Sequence, residues 1–364
     1  MKTRIILVGG FLGAGKTTLL VEMARILHKQ GKRIGLITND QAAELVDTEL
    51  LEKTNGFVSE VSGSCFCCNF NGFTDAIVHL KAEKQVDIII AEPVGSCTDL
   101  SATIVQPLKQ KFDDLLLAPL SVLIDPQRLV SLLDGTTTEL HSSAVYIIRK
   151  QLEEADIIVL SKIDLFPQDF IEKLMKRAML EWPKAKIFLI SAKNGEGLQG
   201  WLAEVTNSLN AGTHLADIDY EIYAEGEAVL GWLNISVKLE SESANWDDFI
   251  SKLLNALSQR FDNSYAAVAH VKLFIEEEGE YLVGNLTGKK DTISIRGSIG
   301  VGEKARMTLN ARVQMDPDIL KSIIEEEVSE VCGSDINSSI IEFNCLKPGI
   351  PKPTHRYDYV VKNY

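Results

Sequence analysis

The 364-residue sequence lacks the features that mark several large classes of protein. Its longest apolar runs, such as Ile88–Ala91 and Ile157–Leu160, have the length of a strand and are too short to cross a membrane. Acidic side chains outnumber basic ones, 51 to 37, and the net charge of −14 repels nucleic-acid phosphates and anionic lipid. We therefore expect neither nucleic acid nor a membrane as a partner. No signal-peptide pattern, internal repeat or low-complexity tract is evident.

Cysteine is also scarce, and its distribution excludes a regular disulfide framework. Three of the six cysteines are crowded into four positions, Cys65 to Cys68, in the order C-F-C-C. Histidines are scattered, without the His-rich tract that metal-storage proteins use. This cysteine usage is typical of a reducing compartment, so we expect a cytoplasmic protein whose thiol cluster serves metal or redox chemistry.

The first 209 residues alternate strand-like runs with helical stretches, which predicts a parallel sheet with crossover helices. The predicted strands are Arg4–Val8, Arg33–Thr38, Val86–Ala91, Ser121–Ile124, Ile157–Leu160 and Ile187–Ile190. Polar or glycine residues follow each of these runs, where open α/β sheets bind their ligands. We therefore expect a doubly wound α/β domain over residues 1–209, followed by a linker over residues 210–228.

Residues 229–347 have a different order of strand-like and helical stretches, which predicts a second, smaller α+β domain. The order is strand-helix-strand-strand-helix-strand, as in ferredoxin-like folds, with one inserted strand around Thr292–Gly297. Asn245 is the predicted N-cap of the first helix. Residues 348–364 are rich in proline at their start and are expected to form an extended tail.

Residues 10–17, G-F-L-G-A-G-K-T, match the phosphate-loop pattern G-x(4)-G-K-[ST] between a strand and a helix. Glycines let backbone N–H groups point at the β- and γ-phosphates, while Lys16 neutralises them and the Thr17 hydroxyl binds Mg²⁺. A glycine-rich turn without a ligand is the alternative. The residues predicted to bind nucleotide here are Gly10, Gly13, Ala14, Gly15, Lys16, Thr17 and Thr18.

Two later segments are predicted to bind the base of the nucleotide. Residues 161–164, S-K-I-D, resemble the N-K-x-D motif of GTPases, in which the carboxylate of Asp164 would accept hydrogen bonds from two guanine N–H groups. Residues 191–193, S-A-K, resemble the segment that contacts the guanine oxygen. GTP is therefore favoured over ATP, although an ordinary strand-to-loop turn is the alternative. The predicted base-binding residues are Ser161, Lys162, Asp164, Ser191, Ala192 and Lys193.

Acidic residues at two strand ends are candidates for magnesium and catalysis. Glu92 ends an apolar strand and can hold Mg²⁺ through water, and Gly95 can approach the γ-phosphate closely. Asp40 is a second candidate for magnesium or for positioning the attacking water, or is instead a cap or turn residue. Catalysis is accordingly assigned to Lys16, Thr17, Asp40 and Glu92.

The thiol cluster offers at most three ligands, Cys65, Cys67 and Cys68, whereas Zn²⁺ normally takes four. The site is therefore predicted to be open, which suits metal transfer. Burial as small apolar side chains is the alternative. Cys97 follows Gly95 by two residues and is either the fourth ligand or an inert buried thiol. Cys332 and Cys345 are isolated and predicted to pack in the core.

These motifs together resemble the CobW/HypB/UreG group of P-loop GTPases, and its CobW-like branch in particular. The resemblance rests on residues 10–17, Asn39 with Asp40, the C-F-C-C cluster, residues 92–95 (E-P-V-G) and residues 161–164. It implies a metallochaperone or insertase whose three clustered cysteines bind the metal. Ser64 where the family has glycine, and N-D-Q-A-A at 39–43 where it has N-E-F-G-E, mark a divergent branch.

The resemblance thus implies a GTPase that couples GTP and Mg²⁺ to delivery of a transition metal to a metalloprotein client. Zinc is the first choice of metal and cobalt the alternative. Because no arginine finger is evident, we expect slow intrinsic turnover, raised by a homodimer contact or by the client. One alternative is a GTP-dependent activator of a corrinoid enzyme or other metalloenzyme. Another is a non-catalytic metal sensor that uses GTP as a clamp.

Overall fold

A computed structural model describes residues 2–39, 46, 56–61, 63–136, 140–288 and 293–362. The first part of the chain builds a parallel sheet. Its strands are β1 (Thr3–Gly10), β2 (Ile34–Asn39), β3 (Phe57–Val61), β4 (Ile88–Glu92), β5 (Leu115–Leu117), β6 (Ser121–Ile124), β7 (Ile157–Leu160) and β8 (Lys186–Leu189). They lie in the order β3-β2-β4-β1-β6-β7-β8, and β5 also pairs with β1.

Helices cover both faces of this sheet. They are α1 (Lys16–Lys29), α2 (Phe70–Ala82), α3 (Gln106–Lys111), α4 (Pro126–Asp134), α5 (Ser142–Glu153), α6 (Gln168–Glu181), α7 (Leu198–Asn207) and α8 (Tyr220–Ala228). Strand β1 shows why two layers form, because alternate side chains point to opposite faces. Ile5 and Leu7 enter one apolar cluster, whereas Ile6 and Val8 enter the other.

The second part of the chain builds an antiparallel sheet. Its elements are β9 (Gly231–Asn245), α9 (Trp246–Asn263), β10 (Val268–Glu277), β11 (Glu280–Leu286), β12 (Ile293–Gly297), β13 (Val301–Val313), α10 (Pro317–Cys332) and β14 (Asn337–Leu346). The strand order is β12-β11-β10-β13-β9-β14. Without β11 and β12, this is the ferredoxin-like order 4-1-3-2, so the predicted α+β domain is confirmed with a hairpin added at one edge.

Local capping explains where the helices of the second sheet begin. The side chain of Asn245 accepts a 3.1 Å hydrogen bond from Asp248 N, as predicted for the N-cap of α9. Helix α10 begins at Pro317, and the Asp316 carboxylate accepts from Asp318 N. Both helices pack on the same face of the sheet through an apolar cluster that includes Ile235, Leu273 and Leu309.

The opposite face of the antiparallel sheet lies against the first sheet, at the carboxyl ends of the parallel strands. Asn310 Oδ1 on β13 accepts a 2.9 Å hydrogen bond from Val46 N, and Val46 packs with Phe274 and Val283. Residues 210–228, the predicted linker, include α8, which packs against α5. Among the described residues no helix is long and apolar enough to pass through a bilayer.

Candidate nucleotide and metal site

The phosphate loop lies between β1 and α1, as the sequence predicts. Gly10 has φ +128°, and a Cβ there would lie 2.4 Å from the carbonyl oxygen of Leu123, so a side chain does not fit. Gly15 adopts a left-handed conformation and is the N-cap of α1, which leaves the first N–H groups of the helix pointing into the loop. This arrangement of N–H groups at a helix N-terminus is suited to binding phosphate.

Lys16, Thr17 and Glu92 lie together at the floor of the loop, and all are buried. Lys16 Nζ donates to Gly10 O at 2.9 Å and lies 3.8 Å from Glu92 Oε1. The Thr17 hydroxyl is 3.3 Å from both carboxylate oxygens of Glu92. This set of hydroxyl and carboxylate oxygens is the donor chemistry that Mg²⁺ prefers, so the residues fit the ion that the motif implies.

The segments predicted to bind the base lie beside the loop. Ser161 Oγ donates to Ala14 O at 2.7 Å, which connects the segment at 161–164 directly to the phosphate loop. Asp164 is exposed at the rim and accepts a 2.7 Å hydrogen bond from Ser191 Oγ. Lys162 adopts a left-handed backbone conformation, and its Cε lies 3.8 Å from the position of a Cβ on Gly15. Burial lowers the pKa of Lys162.

One cavity of about 560 Å³ contains most of the predicted nucleotide residues. From the first sheet it is lined by Gly13, Gly15, Lys16, Thr17, Thr18, Glu92, Gly95, Ser161, Lys162, Asp164, Ala192 and Lys193. Gly10, Ala14 and Ser191 lie just behind the lining and contact it through the hydrogen bonds described above. Asp40 lies outside the described residues.

The three clustered cysteines lie in the loop before α2, and their sulfur atoms are all within 4.8 Å of one another. Cys65 Sγ is 3.0 Å from Cys67 Sγ, which is 3.8 Å from Cys68 Sγ. Cys65 and Cys67 are buried, and Cys68 is half-buried. Cys97 is also buried, and its thiol is close enough to Cys65 and Cys67 to affect their pKa values. The structure therefore places Cys97 beside the group of three cysteines, and its role as a fourth ligand stays a prediction.

Hydrogen bonds within the cluster separate the acidities of the thiols. Those from Cys67, Cys68 and Cys97 lower the pKa of Cys65 far below its usual value. The same thiolate raises the pKa of Cys68 to about 11, and those of Cys67 and Cys97 also rise. Sulfur donors this close, with one stabilised as thiolate, suit a soft or borderline cation and fit a Zn²⁺-like metal.

Comparison with known proteins agrees with the nucleotide-binding character of the first part of the chain. Residues 4–189, about half of the chain, match the family model described as "CobW/HypB/UreG, nucleotide-binding domain". The chain belongs to the CobW/HypB/UreG family. The predicted P-loop GTPase fold is thereby confirmed.

Three curated proteins are similar to parts of the chain. The zinc chaperone YjiA of Escherichia coli is 28% identical over 194 residues, which cover 51% of this chain and 57% of that protein. The zinc chaperone CobW of Pseudomonas aeruginosa is 26% identical over 225 residues, covering 54% and 58%. Zinc-regulated GTPase metalloprotein activator 1 of Dictyostelium discoideum is 25% identical over 277 residues, covering 61% and 55%. The chain thus spans little more than half the length of these relatives.

In this member of the CobW/HypB/UreG family, a short segment joins the nucleotide cavity to the thiol cluster. A Cβ on Gly95 would lie 2.6 Å from Leu12 Cδ2 and 3.1 Å from Lys16 Nζ, so the backbone of Gly95 lies directly against the phosphate loop. Two residues later, Cys97 enters the cluster. Gln151 Nε2 on α5 donates to Gly95 O at 3.0 Å and to Cys97 O at 2.8 Å, which fixes both ends of the segment.

Asn39 forms a second connection. It ends β2 and lines the nucleotide cavity. Its amide donates to Val61 O at 2.7 Å and to Ser64 O at 2.9 Å, and its oxygen accepts from Phe66 N at 2.8 Å. The buried Asn39 side chain thus holds Ser64 and Phe66, the residues on either side of Cys65 in the chain.

Several residues that sequence reasoning missed lie at the two sites. The antiparallel sheet lines the nucleotide cavity with His270, Lys272, Asn285, Thr287, Arg296, Asn310 and Arg312. The alternation of polar residues along β10 and β13 predicts a polar face, but it does not predict what that face covers. The predicted tail, described over residues 348–362, crosses the thiol cluster, where Lys352 N donates to Cys68 Sγ at 3.2 Å and Thr354 N donates to Cys67 O at 2.7 Å.

A buried acidic group on α8 also borders the cluster. Glu227 accepts a 2.5 Å hydrogen bond from Ser96 Oγ, and burial raises its pKa to about 8. Ser96 lies between Gly95 and Cys97, so this contact fixes the middle of the connecting segment. The residues predicted to be a linker therefore supply a wall of the thiol site.

Proposed function

We propose that this protein is a GTP-hydrolysing metallochaperone that couples GTP binding and hydrolysis to the delivery of a transition metal to a client protein. The observation that carries the proposal is the segment from Gly95 to Cys97. Its first residue lies against the phosphate loop, and its last lies in the thiol cluster. A backbone shift that follows loss of the γ-phosphate would therefore move one thiol relative to the other three.

Binding of GTP would use the phosphate loop for the phosphates and Asp164 for guanine. Thr17 and Glu92 would hold Mg²⁺, which would neutralise charge on the transferring phosphoryl group when bound. Lys16 would stabilise the same charge from a fixed position, because Gly10 O and Glu92 hold its ammonium group at the loop. Catalysis of this kind rests on position and electrostatics and needs no covalent intermediate.

The transferred metal would be bound by Cys65, Cys67 and Cys68, with Cys97 as the fourth ligand in one nucleotide state. Zinc is the first choice, because four thiolates suit it and two curated relatives carry the name zinc chaperone. Cobalt is the alternative. Movement of Cys97 would open the fourth position, and a ligand from a client could then enter it.

The test compares bound metal in the two nucleotide states. The purified full chain is loaded with Co²⁺, and its metal content and sulfur-to-cobalt absorption are measured with a GTP analogue and with GDP. We expect Cys65→Ser to lose the metal. We expect Cys97→Ser to lose the absorption from one thiolate ligand and to give the same spectrum with the GTP analogue and with GDP. Cys345→Ser is the matched control, because that half-buried thiol lies on β14 and donates to Pro317 O at 3.2 Å.

Turnover is measured in the same preparations. Added Zn²⁺ or Co²⁺ should change the rate of GTP hydrolysis or the affinity for GTP in the wild type and not in Cys65→Ser. Metal content that is the same in the wild type and in Cys65→Ser would overturn the assignment of the metal site. Stoichiometric metal binding without hydrolysis would instead support a sensor that uses GTP as a clamp.

A further inference from the structure

The face of the antiparallel sheet that points away from its helices is both polar and buried. Six polar side chains on this face are at most 7% exposed: Asn234, Ser236, His270, Thr308, Asn310 and Arg312. An antiparallel sheet with helices on one face usually exposes its polar face to water. Here the nucleotide cavity and the elements around it cover that face. His270, Asn310 and Arg312 of this set line the cavity, so the surface that faces a ligand there is polar.

Direct contacts hold this face against the phosphate loop. A Cβ on Gly13 would lie 2.9 Å from Thr287 Cγ2 and 3.1 Å from Ala269 O, so only glycine leaves room for the sheet. The Arg128 guanidinium on α4 donates to Leu12 O in the loop and, at 3.2 Å, to Ala269 O on the sheet. The sheet is therefore a wall of the cavity and not a distant neighbour.

Lys272 places a cation at the magnesium end of the phosphate loop. Its Nζ donates to Thr17 Oγ1 at 3.2 Å, and the residue is half-buried on β10 between Asn285 and Asn310 of the adjacent strands. The hydroxyl at this position of the loop motif serves the metal that bridges the β- and γ-phosphates. A lysine that reaches Thr17 Oγ1 therefore also reaches the region of the γ-phosphate.

Two neighbours of Lys272, the cationic Arg312 and the buried His270, complete this part of the wall. Arg312 is held by Leu233 O at 3.0 Å and Asn234 Oδ1 at 2.9 Å, with its guanidinium 4.4 Å from the centre of the Trp232 ring. His270 is 7% exposed, and its Nδ1 has no hydrogen-bond partner among the described residues. A fixed guanidinium and an unpartnered ring nitrogen, both lining the cavity, point to an anionic ligand with acceptor and donor groups.

We propose that the antiparallel sheet is the second wall of the nucleotide site and that Lys272 binds the γ-phosphate of GTP. This proposal rests on the GTP-binding part of the proposed function. GDP lacks the γ-phosphate, so the wall distinguishes triphosphate from diphosphate. Lys272 supplies, from the same chain, a cation at the phosphate loop in addition to Lys16. Asn310 on the same wall also accepts a hydrogen bond from Val46 N, so the wall contacts Val46 as well as the cavity.

The test compares Lys272→Met with the wild-type full chain at fixed Mg²⁺ concentration. We expect the dissociation constant of a non-hydrolysable GTP analogue to rise by about tenfold or more, as for loss of a hydrogen bond to a charged group. Affinity for GDP should change less than about threefold, and kcat for GTP should fall. Lys272→Arg should restore much of the GTP affinity, because a guanidinium also binds phosphate.

The matched control is Lys238→Met, on the same face of β9, which β13 separates from β10. This lysine is half exposed and pairs with Glu240. It should leave both affinities unchanged. Equal losses of GTP and GDP affinity in Lys272→Met, or no loss of either, would overturn the assignment of Lys272. If the wild type binds and hydrolyses GTP and Lys272→Met has unchanged nucleotide affinities, this inference alone is overturned. A wild type that binds no guanine nucleotide would overturn the proposed function as well.

Discussion

At the scale of single residues, two hydroxyl groups hold the loop that is predicted to bind the base. Ser191 Oγ donates to Asp164 Oδ1 at 2.7 Å and orients a carboxylate that is otherwise exposed. Ser161 stands where the GTPase motif has asparagine, and its hydroxyl donates to Ala14 O at 2.7 Å. The serine at position 161 therefore retains a side-chain link to the phosphate loop, and Asp164 stays the residue predicted to select the base.

Asp164→Ala should weaken binding of guanine nucleotides and remove their advantage over adenine nucleotides. The carboxylate would accept from two guanine N–H groups, and hydrogen bonds to a charged group contribute about 1.5–3 kcal/mol each. The dissociation constant of GDP should thus rise at least about tenfold, as measured by titration calorimetry. Asp169→Ala, on the exposed start of α6, is the control. An unchanged preference for GDP over ADP would refute the assignment.

At the scale of elements, the tail acts as a cover for the thiol cluster. Thr354 bonds through its N–H to Cys67 O and through its hydroxyl to Cys68 O, while Arg356 forms a 2.7 Å ion pair with buried Asp99. Farther along, Val361 N donates to Gln106 Oε1 at 2.9 Å. These contacts join the end of the second domain to the first domain, across the predicted metal ligands.

Lys352→Pro should loosen the cluster, because proline has no N–H to donate to Cys68 Sγ. Loss of a hydrogen bond to a thiolate ligand would reduce metal affinity by about threefold to tenfold, measured by competition with a chelator. Lys352→Ala retains the N–H and is the matched control. Equal metal affinity in the two variants would show that the tail does not contribute to the site.

At the scale of the whole molecule, packing of the second sheet over the nucleotide site buries His270 among cations. Burial, with Lys272, Arg312, Lys16 and Arg128 nearby, lowers the pKa of His270 well below its usual value. The unfolded chain would bind a proton near pH 6.5 that the folded chain does not. Stability from the neutral histidine is therefore present above that pH and is lost as pH falls toward the folded pKa.

His270→Asn should accordingly weaken the acid dependence of stability. Between about pH 7.5 and about pH 5.5, the urea midpoint of the variant should fall less than that of the wild type. His28→Asn, an exposed position on α1, should retain the wild-type dependence. Identical pH profiles for the wild type and His270→Asn would show that this histidine titrates normally in the folded state.

The sequence by itself determined the features that depend on short spacing. The phosphate loop, the S-K-I-D and S-A-K segments, the C-F-C-C cluster and the ferredoxin-like order were all predictable, because chain neighbours and strand or helix periodicity specify them. Only the tertiary structure decided that Cys97 joins Cys65, that the tail covers Cys68, and that Lys272 reaches Thr17. These partners are far apart in the chain, and a period-two pattern predicts that a strand has a polar face without predicting what that face will meet.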